Sequence, residues 1–167
     1  DDTTQGTDTS YSRPVALVTG AGSCIGRAVC EHLVREENGH HRLALVGRRP
    51  EPLSETGALF GDEGTDWIAL PNAIAAPESA PALIERAITS LGGLDAVVNN
   101  AGWTPMKPVW EHTPDEVAAI YGVNALGPVL ITIAALRHFR AQNAGRLVQV
   151  SSMASGDPFP GLSVYGG

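Results

Sequence analysis

A glycine-rich turn near the amino terminus has the residue types and the spacing best suited to binding an anion. The stretch Pro14–Arg27 reads PVALVTGAGSCIGR, so Gly20, Gly22 and Gly26 follow an apolar run and lead into a helical pattern that begins near Ile25. Such an apolar run is typical of a buried strand. The free N–H groups and partial positive charge of a helix N-terminus attract anions. A pyrophosphate is the usual ligand of a glycine-rich turn between a strand and a helix. An ordinary tight turn is the alternative, because position 25 is not the glycine of the common G-x-G-x-x-G pattern.

The rest of the chain alternates between apolar strands and helical patterns. Strands are predicted at Val15–Val18, Leu43–Val46, Trp67–Leu70, Leu94–Asn99 and Leu147–Ser151, and helices at about 25–35, 77–91 and 114–139. Alternation of this kind predicts an α/β fold with a doubly wound parallel sheet of the Rossmann type. With 167 residues, one domain over 13–167 is expected, preceded by a disordered polar leader at 1–12.

Two of the turns resemble motifs of the short-chain dehydrogenase/reductase family. Thr19–Gly26 is similar to the family's Thr-Gly-x-x-x-Gly-x-Gly turn, with Cys24 at the position of the middle glycine. Asn99–Gly102 reads Asn-Asn-Ala-Gly directly after the fourth predicted strand, as the family motif does. Cys24 could crowd a pyrophosphate, act as an oxidisable thiol at a helix N-terminus, or be a tolerated small substitution.

The catalytic residues that the resemblance implies lie further along the chain. Asn124 falls within the long helix, and Ser152 precedes Tyr165 by the family's thirteen-residue spacing. Tyr165 is expected to act as general acid/base on the substrate oxygen, and Ser152 to stabilise the charge on that oxygen. Pro128 has no N–H for the carbonyl four residues earlier, that of Asn124, which in the family holds a water of a proton relay. A simple kink at Pro128 is the alternative.

The resemblance covers residues 14–167, and the printed sequence stops short of the family's full pattern. The relay should continue to a lysine four residues after Tyr165, but the last residue is Gly167. We therefore expect the family's C-terminal elements to be lacking and the active site to be incomplete. The residues expected to hold the cofactor are Thr19, Gly20, Gly22, Ser23, Cys24, Ile25, Gly26, Arg48, Arg49, Ile74, Asn100, Ala101 and Gly102.

The end of the second predicted strand indicates which cofactor is used. NAD-binding members of the family place an acidic residue there, whereas this chain has Gly47 followed by Arg48 and Arg49. Two guanidinium groups suit a 2′-phosphate, so NADP is predicted, with NAD left possible and a solvated basic turn as the alternative. Ala73 stands where the family often has an Asp for the adenine, and Ile74 could pack on the ring.

Composition excludes several other classes of function. A net charge of −7 with only 11 Lys and Arg argues against a nucleic-acid groove. The five histidines and two cysteines show no metal-ligand spacing and no disulfide framework, so a reducing cytoplasm is the expected location. The apolar run at 117–136 is long enough to cross a membrane, but Asn124 and Gly127-Pro128 interrupt it, so no membrane span is predicted.

These features predict an NAD(P)-dependent oxidoreductase of the short-chain type, NADP(H) being preferred, acting on a small carbonyl or alcohol. A non-catalytic nucleotide-binding or interaction module with the same fold is the alternative. A homo-oligomer is also expected, because apolar residues surround the long helix: Ile120, Val123, Leu126, Leu130, Ile131, Ile133 and Leu136. Trp103, Met153 and Phe159 are expected to form an apolar wall of the substrate pocket.

Overall fold

The computed structural model describes residues 13–35, 40–64, 66–76, 78–157 and 159–167. The predicted leader lies outside these ranges, and so does Asn38-Gly39, a residue pair that indicates the end of the first predicted helix. Within them the strands are β1 (Val15–Thr19), β2 (Arg42–Gly47), β3 (Trp67–Pro71), β4 (Ala96–Asn99) and β5 (Arg146–Gln149). The α-helices are α1 (Cys24–Arg35), α2 (Pro50–Gly57), α3 (Ser79–Leu91), α4 (Pro114–Tyr121), α5 (Gly127–Gln142) and α6 (Ser163–Gly166).

The strands form one parallel sheet in the order β3-β2-β1-β4-β5. The predicted α/β fold with a doubly wound parallel sheet is confirmed. The chain moves outward from β1 on one side through β2 and β3, and then crosses to β4 on the other side. The strand order therefore reverses between β1 and β4. In open α/β sheets, ligands bind at such a switch point, beside the carboxyl ends of the strands.

Helices cover both faces of the sheet and bury alternate strand residues. Leu17 and Val97 face a core cluster that contains α3 and α5, while Val18 and Val98 face the cluster with Cys30 of α1 and Leu53 of α2. All four of these strand residues are buried, as expected for a parallel sheet covered on both sides. The strand ends are thereby held rigidly enough to fix the loops that follow them.

The start of α4 follows from a local sequence signal. Thr113 Oγ1 accepts from the Glu116 N–H (3.2 Å), and the Glu116 carboxylate accepts from the Thr113 N–H (2.8 Å), which is a capping box. The Lys107 ammonium donates to the same carboxylate at 2.6 Å. The hydrogen bonds from Lys107 and Thr113 lower the pKa of Glu116 to about 2, so the cap stays ionised at neutral pH.

The predicted single helix at about 114–139 is interrupted. A π-helical turn, Gly122–Leu126, separates α4 from α5, and the helical stretch ends at Gln142. Pro128 explains why the regular pattern cannot persist, because it has no N–H for the carbonyl of Asn124. Turns of this kind occur often at functional sites.

The long helical stretch has one buried side and one exposed side. Ile131 and Ala135 are buried against the sheet, whereas Leu126, Ile133 and Leu136 are each more than 40% exposed. The stretch Pro114–Gln142 has the length and hydropathy of a membrane span, a property it shares with core helices of soluble proteins. The exposed side is apolar as well, which agrees with the prediction that apolar residues surround this helix.

Candidate active site

A cleft of about 550 Å³ opens at the carboxyl ends of β1, β2 and β4, beside the N-terminus of α1. Its wall includes every residue predicted to hold the cofactor except Thr19: Gly20, Gly22, Ser23, Cys24, Ile25, Gly26, Arg48, Arg49, Ile74, Asn100, Ala101 and Gly102. Tyr165 lines the same cleft, while Asn124 and Ser152 do not. Trp103, predicted to belong to the substrate pocket, also lines the cleft, as do Gly47 and Ala73 beside the predicted cofactor residues. The sequence did not indicate the further lining residues Val46, Pro52, Leu53, Asn72, Ala75, Thr104 and Val123.

The glycines of the first turn are required by close backbone contacts. Gly20 has φ +69°, and its N–H donates to the Val46 carbonyl of β2 at 2.8 Å. A Cβ on Gly26 would lie 2.1 Å from the Gly20 carbonyl oxygen, so no side chain fits there. A Cβ on Gly22 would meet Pro52 of α2 at 2.9 Å. The turn is therefore a fixed backbone cradle that leads into the N-terminus of α1.

Thr19 lies behind this cradle rather than in its wall. Only 1% of it is exposed, and its hydroxyl oxygen accepts from the N–H groups of Asn100 (3.0 Å) and Ala101 (2.9 Å). The Asn100 amide donates in return to the Thr19 carbonyl at 2.9 Å. The structure thus gives Thr19 a different place from the predicted one: it joins the end of β1 to the turn after β4, and the residues of both turns line the cleft.

Cys24 is the first residue of α1 and has a left-handed backbone, with φ +47°. Residues other than glycine reach this conformation at a cost of roughly 1–2 kcal/mol, which explains why a glycine is favoured there. The Cys24 side chain is exposed in the wall of the cleft. Cys30 differs, because burial raises the pKa of its thiol to about 12. A cysteine at position 24, in place of the family's glycine, therefore adds both backbone strain and side-chain volume at the anion cradle.

Replacing Cys24 with glycine is expected to stabilise the chain and tighten cofactor binding. Relief of the left-handed strain exceeds the extra chain entropy of glycine, so the free energy of unfolding should rise by about 0.5–1 kcal/mol. Cys24→Ala is the matched control, because it removes the thiol and keeps the Cβ. Urea unfolding and cofactor titration of both variants check this. A Cys24→Gly variant no more stable than Cys24→Ala would contradict the role of the backbone.

A basic turn forms the end of the cleft beside β2. Arg48 and Arg49 are exposed, and within the described part of the chain neither has an ion-pair partner. Gly47, which precedes them, accepts from the N–H of Asn72 at 2.8 Å, so the ends of β2 and β3 are tied together. Two unpaired guanidinium groups at a cleft suit a phosphate.

The turn after β3 contributes an apolar surface and an unpaired polar atom. Ile74 is only 6% exposed and lies beside Gly127, whose added Cβ would meet the Ile74 carbonyl oxygen at 2.9 Å. Asn72 Oδ1 is buried without a hydrogen-bond partner among the described residues. The sequence shows an asparagine near the end of a predicted strand, but it does not show that the oxygen of this side chain lacks a hydrogen-bond partner. The exposed Ala73 offers no side-chain acceptor.

Asn124 is tied to the loop after β4. Its Oδ1 accepts from the Trp103 N–H at 2.8 Å, and its Nδ2 donates to the Trp103 carbonyl at 2.7 Å. This two-way pairing fixes the π-helical turn against the loop, and Trp103 itself lines the cleft. The side chain of Asn124 is therefore occupied by hydrogen bonds within the protein. Its backbone carbonyl is the group that could bind a water or a substrate.

Ser152 and Tyr165 lie on neighbouring elements. Ser152 precedes a short 3₁₀ turn, Met153–Ser155, and its Oγ accepts from the Ala154 N–H at 3.2 Å. Tyr165 is half-buried on α6, and α6 packs on that turn closely enough that a Cβ on Gly166 would lie 2.5 Å from the Ala154 carbonyl oxygen. The fold therefore brings these two predicted residues to adjacent segments, with the tyrosine at the cleft.

The predicted apolar wall of a substrate pocket is only partly assembled. Trp103 lines the cleft, whereas Met153 is 74% exposed and Phe159 is 46% exposed, outside its wall. Among the described residues no group of His, Cys, Asp and Glu side chains could hold a metal ion. The site thus combines a backbone anion cradle, a basic turn and a tyrosine.

Comparison with known proteins agrees with this geometry. A family model for the short chain dehydrogenases matches residues 14–167. A putative ketoacyl reductase of granaticin polyketide synthase from Streptomyces violaceoruber is 34% identical over 87% of this chain and 57% of its own length. The chain spans 57–63% of the length of curated relatives such as this one.

Solved structures share the fold. A metagenomic short-chain oxidoreductase in complex with NADP has a TM-score of 0.82 and 27% identity, over 92% of this chain and 68% of that one. An NAD⁺-bound xylitol dehydrogenase has a TM-score of 0.81 and 28% identity, over 93% and 60%. With its Rossmann-type sheet, glycine-rich turn and family match over residues 14–167, this chain belongs to the short-chain dehydrogenase/reductase family of oxidoreductases.

Proposed function

We propose that this chain forms the cofactor-binding part of an NADP(H)-dependent oxidoreductase that interconverts a small carbonyl compound and its alcohol. The observation that carries the proposal is the single cleft wall that combines the glycine cradle, Arg48, Arg49 and Tyr165. Relatives named for reduction of ketoacyl groups and of diacetyl support a carbonyl substrate.

The cleft fits a dinucleotide on features of the chain itself. Gly20, Gly22 and Gly26 leave a backbone cradle that side chains would fill, next to the positive end of α1. Arg48 and Arg49 would hold a 2′-phosphate, and Ile74 offers an apolar surface to a base. A bound nicotinamide dinucleotide would supply or accept the hydride, while the protein orients it.

The chain's own residues would handle the proton and the charge. Tyr165 would exchange a proton with the substrate oxygen. Ser152 would donate a hydrogen bond to that oxygen and stabilise its developing charge. The Asn124 carbonyl would hold a water in the relay that returns the proton to solvent. Two contacts support these roles: Asn124 pairs with Trp103, which lines the cleft, and α6 with Tyr165 packs on the turn that follows Ser152.

Titration and turnover together test this proposal. The chain is titrated with NADPH and with NADH, and cofactor oxidation is then followed with a panel of small ketones and aldehydes. We expect saturable binding that is tighter for NADPH. We expect turnover in a protein that continues past Gly167 to the length of its relatives. Binding without turnover in that longer protein would instead favour a nucleotide-binding module, and absence of binding would refute the proposal.

We also propose that the protein self-associates through the exposed side of α4 and α5. Tyr121, Val129, Ile133 and Leu136 are each 45–54% exposed there. A contiguous apolar surface of this kind is seldom left in water by a monomer. Light scattering of the 167-residue chain is expected to show dimers or larger species, and Ile133→Glu should shift them toward monomer. A monodisperse monomer at high concentration would contradict this expectation.

A further inference from the structure

A closed set of contacts joins the glycine-rich turn to the first turn of α2. Gly22 lies against Pro52, with 2.9 Å between the two Cβ positions if Gly22 had one. Arg27 of α1 spans the same junction: its Nη2 donates to the Gly22 carbonyl at 3.0 Å, and its Nε donates to Thr56 Oγ1 at 2.9 Å. The Thr56 hydroxyl donates in turn to the Pro52 carbonyl at 2.9 Å. The contacts therefore form a ring.

This ring is shielded from water on the side of α2. Thr56 is completely buried, and the Arg27 side chain is 34% exposed. Glu55 adds a carboxylate oxygen 3.6 Å from Arg27 Nη2. The planar guanidinium holds both acceptors in fixed directions, which a lysine ammonium cannot do. Loss of Arg27 would leave the buried Thr56 hydroxyl and the Gly22 carbonyl without their shared partner.

The ring links the two phosphate-binding turns of the proposed function: it contains the glycine-rich turn, and it reaches the basic turn through α2. Gly22 belongs to the cradle for a pyrophosphate. Arg49 directly precedes Pro50, the first residue of α2, so the position of α2 determines where Arg48 and Arg49 lie. Arg27 itself does not line the cleft, and its donors are used within the protein. It can therefore act on a ligand only through the turns that it holds.

We propose that Arg27 is a positioning residue that sets the spacing between the pyrophosphate cradle and the 2′-phosphate turn, and so determines the affinity for a dinucleotide that occupies both. This inference rests on the proposed function, because it takes NADP(H) as the ligand. A ligand that touches only one turn does not depend on the spacing. A ligand that binds both turns gains affinity because its two binding groups are linked. This gain is lost when the distance between the turns no longer allows both groups to bind at once.

The experiment titrates the 167-residue chain and its Arg27→Met variant with NADP⁺ and with two fragments. Of the two phosphate-binding turns, adenosine 2′-monophosphate reaches only the basic turn and nicotinamide mononucleotide reaches only the glycine cradle. We expect Arg27→Met to weaken NADP⁺ binding by about 10-fold, and each fragment by less than about 2-fold. Equal losses for NADP⁺ and for both fragments would overturn the proposal, since they would indicate a general loss of charge or folding.

Three further variants separate positioning from charge. Arg35→Met removes the same charge from an exposed position on the same helix and should leave NADP⁺ affinity unchanged. Arg27→Lys keeps the charge without the paired bonds and should not restore affinity; full restoration would overturn the proposal. Thr56→Val removes the hydrogen bonds that join Arg27 to α2, although the Glu55 carboxylate stays near Arg27, and should weaken NADP⁺ binding several-fold. If circular dichroism shows that Arg27→Met is unfolded, the Thr56→Val variant tests the role of Arg27 instead. Unchanged NADP⁺ affinity in Thr56→Val would overturn the proposal.

The outcomes also distinguish this inference from the proposed function. A parent chain that binds NADP⁺, together with an Arg27→Met variant that binds it equally well, refutes only the role of Arg27. A parent chain that binds neither NADP⁺ nor NAD⁺ refutes the proposed function and the inference with it.

Discussion

Tyr165→Phe is expected to abolish carbonyl reduction while leaving cofactor affinity unchanged. The substitution removes only the hydroxyl that would exchange a proton with the substrate oxygen, and the ring remains in the wall of the cleft. The measurement is cofactor oxidation with an accepted ketone, in protein that continues past Gly167 to the length of its relatives. Tyr121→Phe is a matched control, because Tyr121 is 48% exposed on α4 and does not line the cleft.

Ser152→Ala tests the other half of the same chemistry. Removing one donor to a developing oxyanion typically lowers the rate on the order of 100-fold or more. Ser152 also accepts from the Ala154 N–H, so thermal unfolding is measured in parallel to separate catalysis from loss of this cap. A fully active Tyr165→Phe enzyme would end the assignment of the tyrosine, and an unchanged rate for Ser152→Ala would end that of the serine.

The second large effect is expected from the basic turn. If Arg48 and Arg49 hold a 2′-phosphate, NADP(H) should bind more tightly than NAD(H) by about 1–3 kcal/mol, roughly 5- to 150-fold. Replacing both with alanine should remove that preference, chiefly by weakening NADP(H), while NAD(H) affinity changes little. Isothermal titration with both cofactors provides the measurement.

A charge-matched control accompanies this experiment. Arg86 and Arg140 are exposed and lie outside the wall of the cleft, so replacing both with alanine lowers the net charge equally without touching the turn. That control should keep the preference for NADP(H). Equal affinity of the parent chain for the two cofactors would show that Arg48 and Arg49 form an ordinary solvated turn.

The sequence was sufficient to predict the sheet and most of the cleft wall. Short motifs that directly follow apolar strands, such as Gly20–Gly26 and Asn100–Gly102, must meet at the carboxyl edge of a parallel sheet. Their place therefore follows from the fold class alone. The capping box at Thr113 and Glu116 is likewise set by residues close together in the sequence.

Features that depend on tertiary contacts could not be predicted in this way. The sequence analysis missed α2, because the helix has eight residues and Leu53 is its only large buried apolar side chain. Thr19 faces inward because its hydroxyl oxygen accepts from N–H groups 81 and 82 residues later in the chain. The pairing of Asn124 with Trp103 and the left-handed backbone of Cys24 likewise arise from contacts that spacing does not encode.

The most direct test of the central claim is a crystal structure of this chain with NADP⁺. We expect the pyrophosphate at the N-terminus of α1 over Gly20–Gly26, the 2′-phosphate within hydrogen-bond distance of Arg48 or Arg49, and the nicotinamide at the end of the cleft that Tyr165 lines. A dinucleotide bound elsewhere, or one with its 2′-phosphate in solvent and its nicotinamide away from Tyr165, would contradict it.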